Sequence, residues 1–169
     1  MSLTKTFYML KDAELRTSEM YAMVGLSLAI TRPELSDLFN ELAEEEKVHA
    51  RQIEMLQRIF LDSKDAFLED AEAERVIGEF LQNLDMIKNY FIQHNADMRP
   101  RDLLNLAIDL EKHLVESHGT FFIKIMDESV KKLFTSLNSG NEAHLRKLEA
   151  FRPTEQLSQA PDRFPSLQP

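Results

Sequence analysis

The sequence predicts an all-α fold, an antiparallel four-helix bundle of two hairpins joined by a long, partly helical crossover. Three observations carry this. Apolar residues recur every three or four positions over long stretches. Arg32-Pro33 and Arg99-Pro100 each fall where one helix must stop and another start. Only four glycines occur in 169 residues, too few for a turn-rich β fold.

The first helix spans about residues 4–30, with an inward stripe of Leu10, Glu14, Thr17, Tyr21, Val24 and Leu28. Thr31-Arg32-Pro33 ends it and opens the second, because proline lacks the N–H that a helix interior needs and a first turn leaves unused. The second helix runs to about Phe60 on Leu35, Phe39, Leu42, Glu46, His49, Ile53, Leu56 and Phe60. Glu46 and His49 therefore belong to the buried seam, whereas Glu44, Glu45, Lys47 and Arg51 belong to the solvated face.

Residues 61–99 form the crossover. Ile77, Phe80, Leu84, Ile87 and Phe91 keep a helical period there, predicting a helix on the outside or over one end of the bundle. His94, beside Asn95 and Asp97, reads as a surface or helix-end histidine. The third bundle helix opens at Met98-Arg99-Pro100-Arg101-Asp102 and carries Leu104, Ile108, Glu111, Val115, His118, Phe122 and Ile125. After a break near residues 127–129, the fourth carries Val130, Phe134, Leu137, Asn141, His144, Leu148 and Phe151. Gly140 inside it costs about 1 kcal/mol relative to alanine and so requires a packing reason. The bundle is expected over residues 4–151. Residues 152–169, with Pro153, Pro161, Pro165 and Pro169 among Ser and Gln, read as an unstructured tail.

Composition removes several function classes. Without cysteine there are no disulfides, thiolate metal sites, thiol nucleophiles or cysteine-held iron–sulfur clusters. A formal charge of −9 with no Lys/Arg stripe argues against a nucleic-acid surface. The apolar run Tyr21 to Ile30 is too short to span a bilayer and too far along the chain for a signal peptide. The expectation is a cytoplasmic protein with neither nucleic acid nor membrane as partner.

Polar residues on the four seams are few: besides Thr17 and Tyr21, they are Glu14, Glu46, His49, Glu111, His118, Asn141 and His144. The midpoint between Glu14 and His49 falls between Thr31 and Arg32, within the Thr31-Arg32-Pro33 break, and that between Glu111 and His144 at Asp127–Glu128. Folding each hairpin at its break therefore sets each pair at one level, and the halves repeat at about the 97-residue interval from Glu14 to Glu111. A buried, isolated carboxylate costs several kcal/mol unless paired or metal-bound. No Lys or Arg occupies a seam position, so a divalent cation is the partner that fits. Carboxylates with imidazoles suit Fe, Mn or Zn. The competing reading is a polar core hydrogen-bonded to itself and to water, with protonated Glu.

This pattern resembles the ferritin-like proteins with a carboxylate-bridged di-iron centre, and within them the rubrerythrin-like branch. The resemblance covers about residues 5–151. It is carried by Ala13-Glu14 with Tyr21 seven on, Glu46-Lys47-Val48-His49-Ala50, Leu106-Ala107-Ile108-Asp109-Leu110-Glu111-Lys112, and His144-Leu145-Arg146-Lys147-Leu148. In that fold two helices supply one Glu each and two supply Glu-x-x-His. The resemblance implies Glu14 and Glu111 as terminal carboxylate ligands, His49 and His144 as imidazole ligands, and Glu46 as a bridge between two irons. It implies Tyr21 as a group that orients a bound oxygen species. Its cofactor is iron, one or two ions, with Mn or Zn as alternatives. It further implies a peroxidase- or ferroxidase-like oxidoreductase acting on peroxide or oxygen, and a homodimer.

The chain departs from the pattern in several places. Asn141 stands where a second bridging Glu belongs, and Glu142 is turned about 100° off the seam. Three Glu leave one positive charge in excess with two divalent ions, or one negative charge with one ion. His118 stands where the repeat puts Tyr21 and reads as an extra ligand, a proton donor or a packed core histidine. His113 lies off the seam and reads as surface. Leu114 replaces a further carboxylate often found one turn after the third helix's Glu. With no cysteine there is no rubredoxin-like domain, so a catalytic centre needs a separate electron-donor protein. The readings are thus an oxidoreductase, a metal-binding or structural bundle with a mononuclear or empty site, and a plain helical interaction module.

Overall fold

The computed structural model describes residues 3–62, 71–122 and 128–155, of which 71, 116–122, 129 and 152–155 are described by backbone alone. The described residues are all helical apart from short turns: α1 (Leu3–Leu28), α2 (Pro33–Asp62), α3 (Ala71–His94), a 3₁₀ turn (Asn95–Asp97), α4 (Pro100–Phe122) and α5 (Glu128–Glu155). No described helix is long and apolar enough to cross a membrane.

The two Arg-Pro steps act as the local chemistry requires. The Arg32 N–H closes α1 on the Leu28 carbonyl at 2.8 Å, and the Arg32 carbonyl accepts from Leu35 and Ser36 at the start of α2. Pro33 sits at the first helical position, where its missing N–H leaves nothing unsatisfied. At α4 the Arg99 carbonyl accepts from Asp102 and Leu103. The Asp102 carboxylate reaches back to the Arg99 N–H at 3.3 Å and takes its guanidinium at 2.8 Å, one half of a capping box. Burial pushes the Asp102 carboxyl up, but the hydrogen bonds and charge from Arg99 outweigh it and hold it below its ordinary value.

Cross-helix contacts fix the directions. Phe7–Phe60, Lys11–Glu54, Ser18 to the Ala43 carbonyl and Ser36 to the Gly25 carbonyl run α1 antiparallel to α2 along its length. Gly25 eases the close approach there: a Cβ would lie 2.6 Å from Asn40 Oδ1 and 3.2 Å from the Ser36 carbonyl, so the Asn40 side chain would have to move. Lys5–Glu74, Arg16–Asp85 and Lys88–Glu19 all pair at a separation of 69 residues, so α3 runs parallel to α1 on its outer face. The crossover thus carries the chain the length of the bundle, and its stripe Ile77, Phe80, Leu84, Ile87 and Phe91 is buried as expected. Lys147 on Glu41 and Glu45, His144 on Glu46, and Gly140 against His49 run α5 antiparallel to α2.

The apolar core is split in two. One cluster, at the Arg32–Pro33 end, includes Met20, Val24, Leu28, Leu35, Phe39, Leu42, Leu103, Leu104, Ile108 and Leu148. The other, at the opposite end, joins Phe7, Leu10, Ile53, Leu56, Ile77, Phe134 and Leu137. On α1, α2 and α5 the residues between the clusters are Glu14, Glu46 with His49, and Asn141 with His144, all buried.

Two boundaries differ from expectation. Val115 is only half-buried, and α5 continues past Phe151 to Glu155. Pro153 deprives α5 of one bond to the Glu149 carbonyl, and the helix ends two residues later. The expected tail from 156 onward, crossover residues 63–70 and Ile125 lie outside the described residues.

Removing the cap by Asp102→Ala is expected to destabilise the protein by about 1–3 kcal/mol, read as a lower urea midpoint. Asp97→Ala, at an exposed acid in the adjacent 3₁₀ turn, is expected to stay within about 0.5 kcal/mol of the parent.

Candidate metal centre

Four helices deliver the polar layer because their stripes alternate by three and four, so each seam presents a polar residue at that level. Glu14 comes from α1, Glu46 and His49 from α2, Glu111 from α4, Asn141 and His144 from α5; none is more than 6% exposed. Of the five residues expected as ligands, Glu46, His49 and His144 form one close group, and Glu14 and Glu111 each face one of its imidazoles.

Glu46 is the hinge of the arrangement. Its Oε2 lies 2.8 Å from His49 Nδ1 and its Oε1 lies 3.1 Å from His144 Nδ1. The two rings stack with centroids 5.0 Å apart. Each imidazole meets one further carboxylate through the same nitrogen: His49 Nδ1 is 3.9 Å from Glu14 Oε2, and His144 Nδ1 is 3.3 Å from Glu111 Oε1. The Tyr21 hydroxyl donates to Glu111 Oε1 at 2.7 Å. Tyr21 therefore holds a carboxylate of the layer instead of standing free beside it.

The electrostatics follow from this packing. Burial pushes His144 toward neutrality, but its hydrogen bonds to Glu111 and Glu46 outweigh that and raise it to about 10. Burial likewise opposes the charge on His49, while Glu46 and Glu14 raise it above its ordinary value. The Tyr21 hydroxyl is pushed well above its ordinary value, first by burial and then by the Glu111 charge. The seams carry no Lys or Arg, and the two imidazoles, both raised above their ordinary value, are the groups on them that can carry positive charge.

The donor set fits a divalent cation. Ligand atoms of Glu46, His49 and His144 lie within 4.8 Å of one another, and all three residues are buried. Glu111 Oε2, in a fully buried side chain, has no hydrogen-bond partner among the described residues. An orphaned carboxylate oxygen is costly in a dry core and is what a cation would take up. Carboxylate oxygen with imidazole nitrogen suits Fe, Mn or Zn and does not distinguish among them. The fit is better for one ion than for two. Asn141 is fully buried at the place of a second bridging Glu, and Glu142 is exposed, facing Asn138 and Arg146.

Gly140 finds its packing reason here. A Cβ on it would sit 2.3 Å from His49 Nε2 and 2.8 Å from Cε1, so only glycine lets the His49 ring lie against the α5 backbone. The residue that sequence reasoning missed is Glu45, assigned to the solvated face. Its Oε2 lies 2.9 Å from His144 Nε2, and both its oxygens take the Lys147 ammonium at 2.8 Å. The only sequence signal was Lys147 three residues after His144, which reads as an ordinary surface charge until α2 and α5 are placed together.

Neither His94 nor His113 joins the layer. His94 ends α3, with Nδ1 at 2.9 Å from the Tyr90 carbonyl and its ring stacked on Tyr90. His113 is half-buried and bonds the Asp109 carbonyl. Leu114 is fully buried in the apolar cluster. The His118 side chain lies outside the described residues. Comparison of the chain with protein-family models, curated proteins and solved structures finds no match, so the residues themselves carry the functional reading.

Two outcomes are expected of the metal-free protein. Folded His144 holds its proton more tightly than the unfolded chain, so its stabilisation is complete below about pH 6.5 and is lost as pH rises through about 10. The urea midpoint should fall across that window, His49 adding in the same direction. Gly140→Ala gains about 1 kcal/mol of helix propensity, yet overpacking against His49 costs about 1–3 kcal/mol, so a lower midpoint is expected. Gly78→Ala, whose Cβ would meet only Met9 at an ordinary 3.5 Å, should not lower it.

Proposed function

We propose that this chain is a metal-binding bundle of the ferritin-like, rubrerythrin-like kind that holds iron, or Mn or Zn in its place, in the polar layer. The observation that carries this is one buried carboxylate, Glu46, directing its two oxygens at the Nδ1 atoms of two buried imidazoles. The chain order supports the same reading: two hairpins, with a helical crossover running parallel to the first helix.

Glu46, His49 and His144 would hold the ion, with Glu14 and Glu111 flanking it. When bound, iron would supply the electrons for reduction of peroxide or oxygen, or would itself be oxidised. The chain's own residues serve that chemistry by position. Two apolar clusters close the layer from both ends and exclude bulk water. Tyr21 holds Glu111 by a hydrogen bond, and its raised pKa keeps the hydroxyl protonated as a donor. The imidazole protons must leave Nδ1 when an ion enters, so binding releases protons. A donor protein is required for turnover, and a dimer is part of the proposal.

A second reading is favoured by the buried Asn141 and the outward Glu142: the centre is mononuclear, and its role is binding or structure. Anaerobic loading with Fe²⁺ followed by metal analysis separates the two. One tight equivalent in the parent, rising toward two in Asn141→Glu, is the mononuclear result, whereas two equivalents in the parent refute it. At a free-ion concentration about 100 times Kd, loading should add about 2.7 kcal/mol to stability. The gain should vanish in His49→Ala/His144→Ala. Loss of added peroxide on mixing with ferrous-loaded protein is the expected redox outcome. No binding of Fe²⁺, Mn²⁺ or Zn²⁺ would overturn the metal reading itself.

A further inference from the structure

Resting on the metal reading above, we propose that Glu45, held by Lys147, is a positioning residue that presents His144 to the ion through Nδ1, making His144 the better-anchored imidazole of the pair. An imidazole can offer either nitrogen to a metal, and the hydrogen bond made by the other nitrogen decides which. At His144 the division is explicit. Nδ1 faces Glu46 Oε1 and Glu111 Oε1 in the buried layer, while Nε2 faces outward to Glu45 Oε2 at 2.9 Å.

Glu45 is itself fixed. Lys147 binds both its oxygens at 2.8 Å and also reaches Glu41 at 2.7 Å. A hydrogen bond from the Nε2–H to this anchored carboxylate leaves Nδ1 as the nitrogen offered to the ion. A carboxylate behind the ring also raises the basicity of the ligand nitrogen.

His49 is built differently. Its Nδ1 faces Glu46 and Glu14, but its Nε2 lies over Gly140, where contact with the α5 backbone positions the ring. One imidazole is thus oriented by a charged hydrogen bond and the other by packing. The internal repeat of the sequence does not extend to this outer layer, and Glu45 has no counterpart one residue before Asn141, where Gly140 stands.

The test titrates Co²⁺ into metal-free parent protein, Glu45→Ala, Glu45→Gln and Glu44→Ala, with ¹⁵N-imidazole spectra of the Zn²⁺-loaded proteins. Circular dichroism checks that each variant is folded. Glu45→Ala is expected to weaken Co²⁺ binding about 10–100-fold. Glu45→Gln, which keeps an acceptor oxygen without the charge, should restore part of the loss. Glu44→Ala, at an exposed carboxylate paired with Lys47, should bind as the parent does. The His144 Nε2 proton should be visible and protected in the Zn²⁺-loaded parent and exchange rapidly in Glu45→Ala. A purely structural role for Glu45 would lower stability without this graded affinity or the exchange change. Parent-like Co²⁺ binding by Glu45→Ala, or an equally protected Nε2 proton in it, overturns the proposal alone. A parent that binds neither Co²⁺ nor Zn²⁺ overturns the metal reading and the proposal with it.

Discussion

A carboxylate with no exposure, shared between two imidazoles, is the constraint on which the rest of the molecule depends. An ionised carboxylate cannot be left in an apolar core without a positive partner, because its desolvation exceeds what a small domain can absorb. The partners of Glu46 come from its own helix, His49, and from α5, His144. The two hairpins must therefore dock in one register, since a shift of one helical turn, about 5.4 Å, would break the contact between them. The apolar clusters on either side supply most of the driving force for burial but fit many registers. The polar layer selects one.

The layer also explains residues that look unfavourable in isolation. Gly140 weakens α5 locally, yet a side chain there would occupy the place of the His49 ring. Tyr21 buries a hydroxyl that Glu111 satisfies. Thr17 and Asn141 interrupt otherwise apolar stripes at zero exposure. These are local departures from helix or core preference concentrated at one level of the bundle, the distribution expected of a functional site and not of scattered imperfections. The imidazoles make the metal-free protein tenable. Protonated, the two would bring the same two positive charges as a divalent ion, so proton and metal compete for the same nitrogens.

Much of this was legible in the residue order. Stripes alternating by three and four marked the buried faces, and Leu35 through Phe60 are buried at every stripe position. The Arg-Pro steps located two of the helix starts. The mirrored spacing of Glu14 and His49 about Thr31–Arg32, and of Glu111 and His144 about Asp127–Glu128, is enough to put each pair at one level. What spacing could not show is contact between helices far apart in the chain. Glu45 looks like any solvated Glu along α2, and its link to His144 exists only because α5 lies beside it. Pro153 suggested a stop at Phe151, four residues short of where the helix ends at Glu155, because a single missing N–H near a terminus is a small local loss.

The sequence by itself determined which residues are apolar enough to be buried, which polar ones they must take with them, and where the chain can turn. Those are consequences of helical period and side-chain chemistry, which act locally. Only the tertiary structure decided that Glu46 serves both imidazoles at once, that His49 leans on the Gly140 backbone, and that His144 is backed by Glu45 and Lys147. These depend on distances of two to four ångströms between separate helices, and a residue's own neighbours along the chain do not set them.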